Sequence, residues 1–203
     1  ANLQTILRQL FGENLAKRSG SISYTPESVV QSWYAEIADY DYDKLGSKNG
    51  KVGLIAGSLS LRDHIERRFG FEQVMLHEFP HLTILPVLES RDDWQRVEKV
   101  TADMLTTHPD LIGIYNVGAG ARGIVTALEN SGRQNQVTYI AHELTDHTRR
   151  ALVDGTIDAI INQNAGHEVR SAVRVLMAKA DRTPLIEAME HIRIDIFVRD
   201  NLP

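Results

Sequence analysis

From Lys51 onward, short apolar runs alternate with longer amphipathic stretches. This rhythm is typical of βα units that build a parallel sheet, with right-handed crossovers between the strands. The predicted strands span residues 52–56, 83–88, 111–115, 137–140 and 157–161. We therefore predict an α/β fold: a three-layer arrangement with a mainly parallel sheet and helices on both faces.

Apolar residues recur at helical spacing between these strands. The pattern predicts helices over residues 62–78, 92–107 and 165–179. The tail at 192–198 alternates strictly between apolar and other residues, and it includes Asp195. An alternating segment with a charged position predicts a strand at a sheet edge with one solvated face.

The first fifty residues break this rhythm. A short amphipathic helix is predicted over residues 3–10, and Thr25-Pro26-Glu27 is a helix start signal. This second helix should run to about Asp39, with Trp33 and Ile37 buried. We predict two parts: a helical segment with a linker at 1–50, and a ligand-binding lobe at 51–203.

Composition narrows the classes of partner. The chain has 203 residues, of which 42% are hydrophobic and 24% charged, so it can bury one sizeable core. Its formal charge of −5 argues against nucleic acid as a partner, because that binding depends on basic residues meeting phosphates. No apolar run approaches the length of about 18 residues that a membrane span needs, so we expect no membrane partner.

Cysteine is absent, so neither a disulfide framework nor a thiolate site is predicted. This agrees with a cytoplasmic location, which we take as the expectation. The chain begins at Ala1, without methionine, which suggests a processed product or an excised piece.

The glycine-rich segment 118–123 follows a predicted strand and opens a predicted helix, and Glu143 lies twenty residues beyond Gly123. These are the conditions of a dinucleotide-binding fingerprint, with Glu143 on a ribose hydroxyl. The alternative is a tight strand-to-helix turn whose small residues allow close packing. Both interpretations stay open, and a Rossmann-like enzyme fragment is the alternative function.

Other catalytic and metal motifs are weak. The groupings His77, Glu78, His81 and His142, Glu143, His147 lack the spacing that places two imidazoles on one helix face. The segment 57–60 lacks the second glycine of a nucleophile elbow. We therefore predict no metal, no cofactor and no enzymatic activity.

Five separated segments, at 55–60, 67–71, 114–116, 141–145 and 160–163, occur in the order and spacing of the LacI and ribose-binding-protein superfamily. The ending Ile196-Phe197-Val198-Arg199-Asp200-Asn201-Leu202-Pro203 also resembles the terminus of such regulators. The resemblance covers residues 51–203. It implies one lobe of a periplasmic-binding-protein-like fold and the binding of a small polar, sugar-like ligand.

The resemblance also implies ligand-binding residues. Arg67 matches the family's arginine on the first helix, Glu143 falls where an aspartate accepts ligand hydroxyls, and Gln163 matches a glutamine at the crossing between lobes. Asn116 is the polar candidate at the third strand end, although counting from Gly123 places Val117 there. A guanidinium, a carboxylate and amides provide the donors and acceptors that a polyol requires.

In that family a first lobe precedes the segment that Lys51 opens, and residues 1–50 are too short to contain it. We therefore expect one wall of the cleft and sugar binding weaker than about 1 mM, unless a homodimer rebuilds the other wall. Residues 11–45 resemble instead a fragment of the CAP (cysteine-rich secretory) superfamily, so the chain is predicted to be a chimera. The predicted function is the effector-binding domain of a LacI-type regulator or a solute-binding protein.

Overall fold

The fold is known from a computed structural model, which describes residues 49–186, residue 190 and residues 194–203. The predicted N-terminal helices, the buried Trp33 and the CAP-like segment 11–45 lie outside the described residues. The division of the chain near residue 50 therefore stays a prediction.

The described strands and helices alternate along the chain. The strands are β1 (Gly50–Ala56), β2 (Leu82–Ile84), β3 (Leu88–Glu89), β4 (Leu111–Asn116), β5 (Thr138–His142), β6 (Ala159–Gln163) and β7 (Ile194–Phe197). The helices are α1 (Arg62–Glu78), α2 (Trp94–Thr107), α3 (Ala121–Ser131), α4 (Asp146–Asp154) and α5 (Ala165–Asp181), with a 3-10 turn at Arg199–Asn201.

All seven strands form one sheet in the order β2-β1-β4-β5-β6-β7, and β3 also pairs with β1. The pairs of β1 with β2, β3 and β4, of β4 with β5 and of β5 with β6 are parallel. β7 runs antiparallel to β6 at the sheet edge, with Ile194 opposite Gln163. The predicted α/β class with a mainly parallel sheet is confirmed.

Helices pack on both faces, which gives the three layers. One core lies under α2, α3 and α4 and includes Val97, Ile124 and Leu152. The other lies under α1 and includes Phe71 and Val74. Adjacent residues of β6 divide between the two cores, because successive side chains of a strand point to opposite faces.

Several element boundaries differ from the prediction, and two of the differences have a clear physical cause. The single strand predicted at 83–88 is two short strands, and Pro86 lies between them. Proline has no backbone N–H and cannot continue a ladder of hydrogen bonds. Helix α2 begins at Trp94 rather than residue 92, because the Asp93 side chain accepts from the backbone N–H groups of Gln95 and Arg96 and caps the helix.

Helix α5 has the predicted apolar stripe, but its large side chains are exposed. Ser171 is its buried residue. The exposed apolar positions are Val169, Val173, Leu176 and Met177. Within the part of the chain that the structure describes, no helix is long and apolar enough to cross a bilayer.

Candidate functional site

The candidate ligand residues lie at the carboxyl edge of the parallel strands. β1, β4, β5 and β6 run in the same direction, so the segments that follow them meet at one edge of the sheet. Open α/β sheets bind ligands at this edge. Glu143 directly follows β5, and Gln163 is the last residue of β6.

Arg67 reaches this edge from the second turn of α1. Its Nη1 donates to the carbonyl oxygen of Val117, directly after β4, at 2.8 Å. Its Nη2 lies 3.7 Å from a carboxylate oxygen of Asp63, and the side chain is 12% exposed. A nearly buried guanidinium held by a strand end and a carboxylate is fixed in position, which suits it to bind a ligand.

Glu143 and Gln163 are brought together. The backbone of Gln163 lies close enough to the Glu143 carboxylate to lower its pKa. Burial raises the pKa of Glu143 above its ordinary value, and the Arg67 charge and the Gln163 hydrogen bond oppose this rise. Arg67, Glu143 and Gln163 therefore share one electrostatic environment, although they are far apart in sequence.

Asn116 lies at the same edge, but its side chain is fully buried. Its Oδ1 accepts from the backbone N–H of Gly118 at 3.3 Å, and its Nδ2 donates to the Ala119 carbonyl at 3.4 Å. The amide thus supports the turn after β4. The neighbouring Val117 is also buried, and its carbonyl holds Arg67. A direct ligand contact by Asn116 stays a prediction.

A buried aromatic and imidazole layer lies beside these residues, and sequence reasoning missed it. The Tyr115 hydroxyl is 2.8 Å from His142 Nε2, and the Tyr115 ring also packs on Phe71 with ring centroids 5.1 Å apart. Burial and the nearby Arg67 and His64 lower the pKa of His142 well below its ordinary value. His142 alternates with Ile140 along β5, a signal that places both side chains on one sheet face.

The end of β1 is also organised by side chains. His64 Nδ1 accepts from the backbone N–H of Ser58 at 3.1 Å, and Glu89 accepts from the backbone N–H of Leu59 at 2.6 Å. The Ser58 and Ser60 hydroxyl oxygens are 2.8 Å apart. The sequence pointed to this segment as part of the family resemblance, and the structure adds the hydroxyls of Ser58 and Ser60 to the polar groups at the edge.

The glycines of segment 118–123 allow its backbone to pack closely against α2 and against the end of β1. A Cβ on Gly123 would overlap the Trp94 carbonyl and lie 2.6 Å from Glu98 N in α2. A Cβ on Gly118 would lie 2.5 Å from Gly57 N. The turn therefore needs small residues because two backbones approach closely.

A backbone N–H group of the same turn already binds a side-chain carboxylate. A carboxylate oxygen of Asp92 accepts from the backbone N–H of Ala119 at 2.8 Å, just before α3 begins. A pyrophosphate at this helix N-terminus would meet that negative charge. The dinucleotide interpretation of residues 118–123 and Glu143 is therefore not favoured.

The histidines do not assemble a metal site within the described ranges. No group of three or more His, Asp or Glu side chains there could hold an ion. His142 is instead paired with Tyr115.

Comparison with known sequences gives a family match and a related protein. The family described as "Periplasmic binding protein domain" matches residues 34–184. The D-allose-binding periplasmic protein of Escherichia coli (strain K12) is 25% identical over 193 residues, which cover 90% of this chain and 60% of that protein. The chain thus spans about three-fifths of the length of this relative.

Solved structures share the fold. A glucose-galactose binding protein from Geobacillus stearothermophilus matches with a TM-score of 0.77 and 21% identity, over 88% of this chain and 62% of that one. A solute binding protein from Agrobacterium vitis, bound with alpha-D-tagatopyranose, matches with a TM-score of 0.76 and 17% identity, over 91% and 63%. A carbohydrate transporter solute binding protein from Agrobacterium radiobacter, in complex with D-arabinose, has a TM-score of 0.75 and 16% identity, over 87% and 60%.

These findings correct one expectation and leave a second without support. The cytoplasmic location predicted from the sequence is wrong, because the matched family and the allose-binding relative are periplasmic and point to a location outside the cytoplasm. The absence of cysteine was a poor guide, since it is compatible with either compartment. The comparisons do not support a chimera with a CAP fragment, and the family match begins at residue 34, inside the CAP-like range.

Proposed function

The chain belongs to the periplasmic binding protein family, which confirms the resemblance seen in residues 51–203, and we propose that its lobe binds a neutral sugar. The observation that carries the proposal is the convergence of Arg67, Glu143 and Gln163 at the carboxyl edge of the sheet. The ligand would lie over this edge, with the hydroxyl groups of Ser58 and Ser60 nearby.

The chemistry of these side chains suits a polyol. A guanidinium donates hydrogen bonds, a carboxylate accepts them, and a glutamine amide does both. Adjacent hydroxyls of a sugar can donate to Glu143 and accept from Arg67 at the same time. Because Arg67 is held by Val117 and Asp63, little side-chain entropy remains to be lost when a ligand binds.

Charge favours a neutral ligand over a sugar acid or a sugar phosphate. The Arg67 charge is offset by Asp63, and the Glu168 charge acts on Glu143 in addition. An anionic ligand would therefore enter a region with more carboxylates than cations. The sugars named for the relatives, D-allose, D-arabinose and tagatopyranose, carry no charge.

The proposed role is solute binding without catalysis. The similar proteins described above are binding proteins, and two of them, from Agrobacterium radiobacter and Agrobacterium vitis, are described as transporter solute binding proteins. An effector-binding domain of a LacI-type regulator would use the same lobe. We favour the solute-binding role because the matched proteins carry that description.

The expected affinity is low for this chain alone. The described residues form one sheet with its helices, and the candidate groups lie along one edge of it. A hydrogen bond that stays accessible to water contributes only about 0.5–1.5 kcal/mol net. We therefore propose a Kd of about 1 mM or weaker for a favoured sugar, or a tighter value if two copies enclose it.

An NMR titration of backbone amide signals tests this proposal at weak affinity. The chain is titrated with D-allose, D-arabinose, D-glucose and D-galactose, and with gluconate, ribose 5-phosphate and NAD as contrasts. We expect saturable shifts for at least one neutral sugar, centred on Glu143 and Gln163. Glu143→Gln should weaken this binding by about tenfold or more, because it removes a charged acceptor.

The matched control is Glu98→Gln, a substitution on α2, which packs on the opposite face of the sheet from α1. It should leave the sugar Kd unchanged. Shifts caused only by the anions, or no saturable shift with any sugar up to about 100 mM, would refute neutral sugar binding, since even a Kd of 10 mM would then be detected.

A further inference from the structure

Glu143 has a backbone conformation that side chains with a Cβ seldom adopt. Its φ is 67°, in the left-handed region, and it directly follows β5. For a residue other than glycine this conformation costs roughly 1–2 kcal/mol. The surrounding structure must therefore hold it in place.

Two side chains from neighbouring elements supply this support. The Thr148 hydroxyl, in the first turn of α4, donates to the Glu143 carbonyl at 2.8 Å. The Asn162 Oδ1, on β6, accepts from the backbone N–H of Leu144 at 2.9 Å. The backbone N–H of Glu143 also donates to the Ile161 carbonyl at 2.9 Å. The peptide groups on both sides of the Glu143 Cα are thus fixed.

The location of the strain gives it a functional meaning. Glu143 is the acidic member of the proposed sugar site, and its carboxylate lies near the Gln163 backbone and the Arg67 charge, which both act on its pKa. If the backbone relaxed to a right-handed or extended conformation, the Cα–Cβ direction would change. The carboxylate would then leave its place near Gln163 and Arg67.

We propose that Thr148 and Asn162 are positioning residues of the ligand site, which hold Glu143 in its left-handed conformation so that its carboxylate faces the ligand. The inference rests on the proposed function, in which Glu143 accepts hydroxyls of a neutral sugar. Neither residue needs to touch the ligand. Their hydrogen bonds stabilise the left-handed conformation in the ligand-free protein, so ligand binding does not have to impose it.

Two variants test the proposal, each with a conservative partner. Thr148→Val keeps the shape of the buried side chain and removes the hydroxyl, whereas Thr148→Ser keeps the hydroxyl. Asn162→Leu removes the acceptor, whereas Asn162→Asp retains one. Thr101→Val is the matched control, because Thr101 is a buried threonine whose hydroxyl donates to the Val97 carbonyl at 2.7 Å in α2.

The sugar Kd is measured by the same amide titration. We expect Thr148→Val and Asn162→Leu to weaken binding by about tenfold or more, while Thr148→Ser, Asn162→Asp and Thr101→Val stay within about threefold of the unmodified chain. Thermal unfolding shows which variants are folded at the temperature of the titration. Among folded variants, a role in stability alone would leave the sugar Kd unchanged.

A ligand-free measurement separates failure of this inference from failure of the proposed function. The Glu143 carboxyl carbon is followed by NMR across its titration. Its pKa is raised by burial in the intact chain, and it should return towards its ordinary value in Thr148→Val and Asn162→Leu. If sugar binding and the Glu143 titration are both unchanged in these variants, the positioning role is wrong. If no sugar binds the intact chain, the proposed function fails, and the carboxyl titration alone decides the positioning role.

Discussion

The Tyr115 hydroxyl lies 2.8 Å from Nε2 of His142, which connects the neighbouring strands β4 and β5 inside the protein. The imidazole is buried, and within the described residues its Nδ1 has no hydrogen-bond partner. Burial, together with the charges of Arg67 and His64, keeps this histidine neutral by lowering its pKa. His142 therefore binds a proton more weakly in the folded chain than in the unfolded chain.

This pair predicts a pH dependence of stability. Because the pKa of His142 lies below its ordinary value of 6.5 in the folded state, the unfolded state binds more protons once the pH falls below that value. The free energy of unfolding should then decrease by up to about 1.4 kcal/mol per pH unit. Urea denaturation between about pH 8 and pH 5 measures this slope.

The double variant Tyr115→Phe with His142→Phe removes both polar partners and keeps an apolar interior. It should reduce the slope, whereas His77→Gln, at an exposed position of α1, should preserve it. Equal slopes in the double variant and the intact chain would contradict a neutral buried His142.

Gly123→Ala should destabilise the protein although it lies in helix α3. Helix propensity alone would predict a gain of about 1 kcal/mol. The added Cβ would instead overlap the Trp94 carbonyl where α2 and α3 pack, and overpacking costs about 1–3 kcal/mol. Gly113→Ala is the comparison, because there the nearest atom to a Cβ is 3.5 Å away. Thermal unfolding of both variants decides whether close packing explains the glycine-rich turn.

Arg133, which follows α3, should stabilise the protein strongly through its contacts with the segment that joins α2 to β4. Its Nη2 donates to the Leu111 carbonyl at 2.6 Å and to that of Pro109 at 3.1 Å, and its Nη1 contacts the carbonyls of Leu105 and His108. We expect Arg133→Met to cost more than about 2 kcal/mol in urea denaturation, because these carbonyls lose a charged donor.

Arg133→Lys should not restore stability, since one ammonium group cannot reproduce the planar guanidinium. Arg150→Met is the control, because Arg150 is exposed and its Nε donates to one carbonyl, that of Asp146. A loss no larger than that of the control would show that the Arg133 contacts contribute little.

Arg182→Gly should stabilise the C-terminus of α5. Arg182 ends the helix with a φ of 54°, and the backbone N–H of Thr183 donates to the Ala178 carbonyl. Glycine adopts this conformation without a Cβ penalty, so we expect a gain of up to about 1 kcal/mol. Asp181→Gly, one residue earlier and still helical, should destabilise by a similar amount. Chemical denaturation that gives both changes the same sign would contradict this account.

Local patterns determined the elements well where one signal dominates. The helix predicted at 62–78 is observed as α1 with the same bounds, although its apolar residues Ile65 and Phe69 are exposed. The strand predicted at 83–88 is interrupted, because Pro86 interferes with pairing to β1, a long-range contact. Apolar spacing also predicted the stripe on α5, but it could not show that Val169 and Leu176 stay exposed.

Identifying the candidate site required both the sequence and the tertiary structure. Family resemblance in the sequence pointed to Arg67, Glu143 and Gln163, and the fold brings these residues to one edge. The left-handed backbone of Glu143 and its support by Thr148 had no sequence signal, because Glu143 is an ordinary acidic residue and Thr148 an ordinary helix-start threonine.

The amino-acid sequence by itself determined the α/β class, the periodicity of the elements and the polar residues at the strand ends, because each depends on neighbours within a few positions. Only the tertiary structure decided which distant residues meet. Tyr115 and His142 are 27 positions apart and pair because β5 lies beside β4. Asp92 lies beside the turn before α3 because Asp92 follows β3 and the turn follows β4, and both of these strands pair with β1. Such contacts follow from strand order, which is set by the packing of the whole sheet rather than by any local pattern.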